Sequence, residues 1–403
     1  MTVSSVKDAR GSIFLTLCIM GIFAILSSTL SKNPVLKPFA TNLKTPEGFW
    51  MGFVASASTI PGILVSLPAA SLSDIFGRRK ILLVSAFVFA SAPFLYLLVS
   101  LWWQLILVRF YHGFATAIFV PVTEASIAEL FPAKRGERIS LFSSATAVGR
   151  GIAPFLGGYI LFATGYGYHM LYLAVGIAGI TAFMTTLFFL AERKRPAVQH
   201  TNSEKTSKRM LHGWRIIAGN PGILIVSLIQ ASQYYTFGAV EYFLVGYLKD
   251  IIQLDAFQIG IIMGSQIVAV ILAKPFMGRM SDKIGRRTPI IVGSIVSGLP
   301  LLAIPFSTVF SILLLLSIIY GLGFAMVTSS ISALVSELAP VNLTGTAMGF
   351  LGMTMDIGQT IGPLIMGMTL ATNMGYQGSF PALTAVLLFS AVIFALSRVA
   401  EAR

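Results

Sequence analysis

The chain of 403 residues contains a single cysteine, Cys18, and only four histidines. One cysteine cannot form an intrachain disulfide, and so few Cys and His residues argue against a metal-rich protein. Charged residues are also scarce, at 11% of the chain, whereas a soluble protein of this length needs far more charge to cover its surface. The composition therefore argues against a disulfide-built secreted protein and against an ordinary soluble domain.

Motifs of several enzyme and pump classes are missing as well. No Gly-Lys dipeptide occurs, which excludes a Walker P-loop and with it ATP-driven transport of that class. The chain has neither an HExxH zinc motif nor a GxSxG nucleophile elbow. We therefore predict that the protein is not an enzyme, with no catalytic residues, no cofactor and no bound metal.

Long apolar runs are what the sequence has instead, since 56% of its residues are hydrophobic. A helix needs about 20 mostly apolar residues to cross the hydrocarbon core of a bilayer. This length predicts an all-α integral membrane protein with twelve transmembrane helices. The predicted spans lie near 12–30, 50–72, 81–100, 103–128, 139–162, 169–190, 222–247, 257–277, 289–305, 309–334, 345–369 and 379–397.

The basic residues that give the net charge of +13 fall between these runs, in a pattern typical of membrane topology and not of nucleic-acid binding. With the N-terminus inside, 21 of the 28 Lys and Arg residues lie on the inner side and four on the outer side. The excess of positive charge predicts that both termini are cytoplasmic, in the plasma (inner) membrane.

An internal repeat divides the chain. Residues 73–79 (SDIFGRR) match residues 281–287 (SDKIGRR) at an offset of 208, and Gly113 matches Gly321 at the same offset. Parallel repeats of six spans are a known transporter architecture, with the substrate near the bilayer midplane. We predict an N-terminal bundle at 1–190, a cytoplasmic linker at 191–215 and a C-terminal bundle at 216–403.

Three motifs carry a resemblance to a known family. Residues 70–80 (ASLSDIFGRRK) resemble the signature between spans two and three of the major facilitator superfamily, although Ala70 replaces its usual Gly. Arg109, His112 and Gly113 resemble its fourth-span motif. Residues 149–158 (GRGIAPFLGG) resemble the fifth-span motif of its proton-coupled antiporters, although Ala153 replaces a usual Gly. The resemblance implies two six-helix pseudo-symmetric halves that alternate in access, as in its drug and small-molecule antiporters.

The signature residues have a physical reading at the inner surface. A carboxylate there can meet the N-terminus of a helix from the other half, and the arginines can pair with nearby glutamates. The resemblance implies a cytoplasmic gate, whereas the alternative is that these residues only anchor the topology. The predicted gate comprises Asp74, Gly77, Arg78, Arg79, Glu129, Asp282, Gly285, Arg286, Arg287 and Glu337.

Glycines and prolines of the fifth and eleventh spans form a second set. Small residues every four positions let helices approach closely, and a proline removes a backbone hydrogen bond and favours a bend. We expect both bending and close packing, and packing alone is the simpler reading. The predicted helix-bend residues are Gly149, Pro154, Gly157, Gly158, Gly358, Gly362 and Pro363.

Ionisable residues inside spans are costly, at ~2.5–3.5 kcal/mol or more each, and so are functional candidates. Asp356 and Arg150 are expected to form a charge pair across a central cavity, for coupling or for structure. The resemblance implies that Arg109 is tied to proton transfer, and the alternative is that it satisfies backbone carbonyls. Glu124 near the inner end belongs to the cavity or to the gate. The predicted cavity residues are Asp356, Glu241, Arg150, Arg109, Glu124, Tyr234, Phe237, Gln230 and Gln359.

Gln230, Tyr234, Phe237 and Glu241 share one helical face by their spacing. Aromatic rings beside a carboxylate suit an organic cation, although the face is also consistent with a packing stripe. We therefore predict proton-coupled export of small organic or drug-like molecules by a monomer in the lipid bilayer, with no nucleic-acid partner. The first span lacks an acidic residue, so three alternatives stay open: an importer or exchanger of organic anions using Arg150, an exporter of lipid-like molecules, and a receptor or sensor without transport.

Overall fold

A computed structural model describes residues 3–190, 213–340, 343–397 and 399. Every long regular element among these residues is a helix. The first eight are α1 Val3–Leu30, α2 Leu36–Asn42, α3 Phe49–Ser56, α4 Ile60–Phe76, α5 Arg78–Leu97, α6 Trp102–Leu130, α7 Arg135–Ala163 and α8 Tyr168–Phe189. Six more follow, α9 Pro221–Gly246, α10 Ala256–Ile284, α11 Arg287–Ala303, α12 Phe310–Leu338, α13 Thr344–Leu370 and α14 Gly375–Leu396.

The helices have the lengths that a membrane requires. Within the described residues, eleven stretches are long and apolar enough to cross a bilayer. Helix α13 is a further candidate, because its 27 residues would extend about 40 Å at 1.5 Å per residue. It is less apolar than the others because it carries Asp356 and Gln359 among several Gly and Thr residues. The prediction of an all-helical integral membrane protein is confirmed.

The second span differs from the prediction. We expected one unbroken helix over 50–72, but α3 ends at Ser56 and α4 begins at Ile60. The Thr59 hydroxyl donates to the Ser56 carbonyl at 2.8 Å, and Pro61 lies at the start of α4, where its missing N–H costs nothing. Hydroxyl groups that compete for backbone carbonyls therefore interrupt the span between α3 and α4.

The described residues of the first compact unit fall within Met1–Glu192 and Val240–Gly264. Its core lies where α1, α5, α6 and α7 meet, and α5 and α1 pack along α8. Fully buried side chains there include Leu17, Met20, Phe89, Phe119 and Phe142. Burial of such large apolar groups, supported by helix packing, holds the unit together.

The second compact unit includes described residues from Arg193–Ala239 and Ser265–Arg403. Helix α11 packs against α12 and α14, and the core contains the buried side chains of Ile223, Ile290, Ile331 and Phe394. The predicted linker at 191–215 lies outside the described residues up to position 212, and the predicted domain boundaries stay a prediction.

Residues 240–264, hereafter the closing segment, follow the predicted linker in sequence but pack within the first unit. The segment contains the end of α9, a π-helical turn at Tyr247–Ile251 and the start of α10. Helix α9 therefore begins in one unit and ends in the other.

Candidate functional site

The loop between α4 and α5 forms a compact charge network in the first unit. Gly77 turns the chain with φ of 94°, a left-handed value that favours glycine. The Arg78 guanidinium then donates to the Ser73 hydroxyl and to Glu129 Oε1, the latter at 2.7 Å. Arg79 donates to the Leu187 carbonyl at 2.9 Å, which ties the loop to the end of α8. The side chain of Asp74 lies outside the described part of the chain.

The second unit repeats this network with its own residues. Gly285 has φ of 86°, Arg286 donates to the Ser281 hydroxyl at 2.6 Å and to Glu337 Oε1 at 2.8 Å, and Arg287 donates to the Ala395 carbonyl. Each of these contacts has its counterpart 208 residues earlier. The sequence repeat is therefore also a repeat of side-chain geometry, and the loop arginines bind the two glutamates on which the gate prediction rests.

Asp282 pairs with Arg286, one helical turn away on the same loop. Burial tends to lower the pKa of the Arg286 guanidinium, but the hydrogen bonds to Glu337 and Asp282 outweigh it and raise that pKa above its usual value. Arg286 is therefore a permanent positive charge at this end of the unit. The predicted contact of Asp282 with a helix of the other half stays a prediction.

Arg109 fills the break in the second span. Its side chain is only 2% exposed, and its guanidinium donates to the Val54 and Ala55 carbonyls at 3.4 and 3.2 Å and to the Ser58 hydroxyl at 2.6 Å. The break leaves carbonyls at the end of α3 without helical donors, and a membrane interior supplies no water to replace them. Of the two predicted roles, the geometry matches the one that satisfies backbone carbonyls.

Gly113, one turn beyond Arg109 on α6, explains how the helix reaches the break. A Cβ atom at this position would overlap the Ser58 carbonyl, so only glycine permits the approach. In the second unit, a Cβ atom on Gly321 would lie 2.6 Å from the Gln266 carbonyl, and both contacts are again 208 residues apart. The repeat therefore reaches the middle of the bundle, but Ser317 stands there in place of Arg109.

Glu241 lies near the end of α9, in the closing segment. Its Oε1 accepts a hydrogen bond from Asn33 Nδ2 at 2.9 Å and lies 3.8 Å from Lys32 Nζ. The Glu241 side chain is 13% exposed, so this ion pair is screened much less than a surface pair. Neither Lys32 nor Asn33 was predicted as a site residue. Their place directly after a predicted span was the available signal, because polar residues there lie within reach of neighbouring helix ends.

The other residues of the predicted aromatic face belong to the second unit. The Tyr234 and Phe237 rings pack on Phe324, with ring centroids 5.2 and 4.8 Å apart. Gln230 on the same helix is buried. The face therefore divides into an aromatic cluster around Phe324 and a carboxylate held by Asn33, and its role in binding a cation stays a prediction.

The remaining predicted cavity residues are dispersed. Arg150 is exposed on α7 and Glu124 is half-buried on α6, both in the first unit. Asp356 and Gln359 are half-buried on α13 in the second unit. The expected pair of Asp356 with Arg150 joins residues of different units and stays a prediction.

The predicted helix-bend glycines lie at backbone crossings. Cβ atoms on Gly149 and Gly157 would meet the Ile22 and Asn33 carbonyls of the chain at and just beyond α1. Cβ atoms on Gly358 and Gly362 would meet the Ala231 and Tyr235 carbonyls of α9. Close packing of the small-residue faces is therefore present in both units.

Pro154 and Pro363 lie inside helices that continue on both sides, since α7 runs from Arg135 to Ala163 and α13 from Thr344 to Leu370. The bends that we expected at these two prolines stay a prediction. Gly158, the last glycine of the set, would place a Cβ atom 2.6 Å from the Ala256 carbonyl of the closing segment.

Comparison with known proteins decides what this geometry belongs to. The family described as Major Facilitator Superfamily matches residues 12–245 and again residues 226–403. The chain belongs to the major facilitator superfamily. As a member of this superfamily it is a transporter and not an enzyme, as predicted.

Two sequence relatives and one solved structure are similar to this chain. Multidrug resistance protein MdtG of Enterobacter lignolyticus is 28% identical over 356 residues, covering 86% of this chain and 82% of that protein. An uncharacterised MFS-type transporter of Methanocaldococcus jannaschii is 26% identical over 350 residues, covering 86% and 85%. The crystal structure of a D-xylose-proton symporter superposes with a TM-score of 0.79 at 17% identity, covering 95% and 96%, which shows a shared fold.

Proposed function

We propose that this transporter exports small organic, drug-like molecules in exchange for protons. The similarity to multidrug resistance protein MdtG over 86% of the chain carries the proposal. The fifth-span sequence on α7 supports it, because Gly149, Gly157 and Gly158 make close backbone contacts of the kind that this motif implies.

The orientation proposed for the transporter follows from the basic residues. With 21 Lys and Arg residues on the side of Arg78 and Arg286, that side faces the cytoplasm together with both termini. The side of Lys32 and Glu241 then faces outward, in the plasma (inner) membrane. The two glutamate–arginine networks are the cytoplasmic gate in this orientation.

The proposed proton carriers are Glu241 and Asp356, two acidic residues of the predicted cavity set. An ionised carboxylate inside a span costs free energy. The conformation that supplies it with a cation or a proton is therefore favoured. Arg109 is engaged elsewhere, because its guanidinium donates to the Ser58 hydroxyl and holds the second span. Cargo and proton therefore compete for the acidic residues and not for Arg109.

The test uses purified protein in liposomes with an imposed pH gradient, acid inside, and a screen of cationic, neutral and anionic solutes. Export by proton exchange predicts accumulation of at least one cationic or neutral solute that collapses when an ionophore removes the gradient. Asp356→Asn and Glu241→Gln should each abolish gradient-driven accumulation, while Asp255→Asn on the exposed start of α10 should not. Accumulation that persists without a gradient would refute proton coupling.

A second candidate is exchange of organic anions, which the exposed guanidinium of Arg150 on α7 favours. The same screen separates the two. If anions are exchanged, an anionic solute is transported. Arg150→Gln then raises the KM of that solute about tenfold or more, because the positive charge that attracts it is lost. Cationic solutes would be unaffected by that substitution.

A further inference from the structure

The closing segment is held against the rest of the first unit by contacts of very different chemistry. Gly158 and Gly260 meet backbone to backbone, since a Cβ atom on Gly260 would lie 2.6 Å from the Pro154 carbonyl. The Tyr242 hydroxyl lies 3.1 Å from Met51 Sδ, and Lys249 Nζ lies 4.4 Å from the centre of the Tyr166 ring. None of these three contacts involves a carboxylate.

The contact made by Glu241 is different in kind. Its carboxylate accepts from Asn33 and faces the Lys32 ammonium, and both partners lie in the turn that follows α1. The Asn33 amide donates to this carboxylate, and the Lys32 ammonium carries the opposite charge. A proton on Glu241 would remove the ion pair and leave Lys32 facing a neutral acid.

We propose that Lys32 and Asn33 are positioning residues that make closure of the outer side depend on an ionised Glu241. Binding of one proton to the Glu241 carboxylate turns it into a neutral acid, breaks the pair with Lys32, and weakens the attachment of the closing segment to the turn after α1. The inference rests on the proposed function, since it assigns this end of the protein to the outer side.

The direction of the effect suits an exporter that exchanges cargo for protons. The outer medium is the acidic side, so protonation favours the conformation open to the outside. Loss of the proton from Glu241 re-forms its pair with Lys32 and closes the outer side. Cargo can then enter from the cytoplasm.

Other ionisable groups of the first unit define the competing explanations. His112 on α6 is the group whose ordinary titration falls nearest neutral pH, and it is buried, with Nδ1 3.4 Å from the Tyr96 hydroxyl. The groups on neighbouring elements are Lys32 and Lys37 beyond α1, Arg109 and His112 on α6, Tyr172 on α8, and Lys249 and Asp250 at the end of the closing segment's π-helical turn.

The experiment measures the distance between spin labels on the two sides of this closure. The labels are attached at Asn42→Cys on α2 and Ile251→Cys on the closing segment, because both positions are exposed. Cys18→Ser removes the one native thiol. In wild-type background the closed distance dominates at neutral and alkaline pH, and a longer distance gains population as the pH falls into the range where carboxylates take up a proton. Glu241→Gln should show the longer distance at every pH, with the closed-to-open ratio lowered about tenfold, as expected for loss of a hydrogen-bonded charge.

Matched variants make the assignment specific. Lys32→Gln should lower the closed-to-open ratio at high pH, whereas Lys44→Gln, an exposed lysine of the same loop region, should leave it unchanged. The pair Lys32→Glu with Glu241→Lys should restore closure. His112→Gln should keep the pH response, and if it instead removes the response while Glu241→Gln retains it, the proposal is overturned.

The two proposals fail separately in these measurements. Distances between labels are read without any substrate or gradient, so they report on the closure alone. A pH-dependent closure that requires Glu241, together with no gradient-driven accumulation of any solute, would sustain this inference and refute the proposed export. A closure that ignores Glu241 would refute this inference even if export were demonstrated.

Discussion

Replacing Arg109 tests how the broken second span is held. Arg109→Met keeps the approximate length of the side chain but removes the donors to the Ala55 carbonyl and the Ser58 hydroxyl, at 3.2 and 2.6 Å. Hydrogen bonds from a charged donor contribute about 1.5–3 kcal/mol each, and the 3.4 Å contact with Val54 adds little. Since methionine suits the apolar surroundings better than a buried guanidinium, the net loss should be on the order of 3 kcal/mol.

The assay is thermal unfolding of the purified transporter in detergent, followed by intrinsic fluorescence. A loss of that size should lower Tm by about 3–4 °C for a chain of this length. The Tm of Arg109→Lys should fall between those of wild type and Arg109→Met, because an ammonium lacks the planar fork that reaches several acceptors at once. Arg150→Met is the matched control, since Arg150 is exposed on the neighbouring α7 and should shift Tm by less than about 1 °C. Equal Tm for Arg109→Met and wild type would refute the reasoning.

Three further predictions concern packing, a buried charge and the gate. Gly362→Ala should lower the free energy of unfolding by about 1–3 kcal/mol, because its Cβ would strike the Tyr235 carbonyl. Gly352→Ala on the same helix meets nothing within 4 Å and should be neutral or stabilising. Comparison of the Tm values checks both. Burial lowers the pKa of Lys37, with Glu47 and Asp250 opposing, so Lys37→Met should raise Tm at neutral pH and lose this benefit as pH approaches the ordinary lysine value of about 10.4. Glu129→Gln and Glu337→Gln should each lower unfolding free energy by less than about 1 kcal/mol, since both glutamates are partly exposed, yet slow transport to a similar degree.

The features that sequence reasoning reached are those set by local pattern. Apolar length predicted the helices, and the repeated signature predicted that Arg78 and Glu129 on one side, and Arg286 and Glu337 on the other, would meet as they do. Spacing also identified Gly149 and Gly362 as points of close helix approach. Each of these depends on residues within one repeat, where the same geometry is encoded twice.

What sequence could not reach depends on contacts between distant segments. The break between Ser56 and Ile60 lies in a run that is apolar enough for a continuous helix, and donors to its open carbonyls come from Arg109, 53 residues beyond Ser56. Glu241 shares a helical face with Tyr234. The side chain that donates a hydrogen bond to it belongs to Asn33, which lies 208 residues away in sequence. Periodicity fixes the face of a side chain and not its partner across the bundle.

The claim on which this account rests is that cargo moves against protons through this transporter. The most direct measurement traps a pH-sensitive dye inside liposomes that hold an acid interior, and then adds a transported solute outside. Proton exchange predicts that solute entry drives protons out, so the interior becomes more alkaline in wild type but not in Asp356→Asn or Glu241→Gln. Solute entry with no change of internal pH would contradict it.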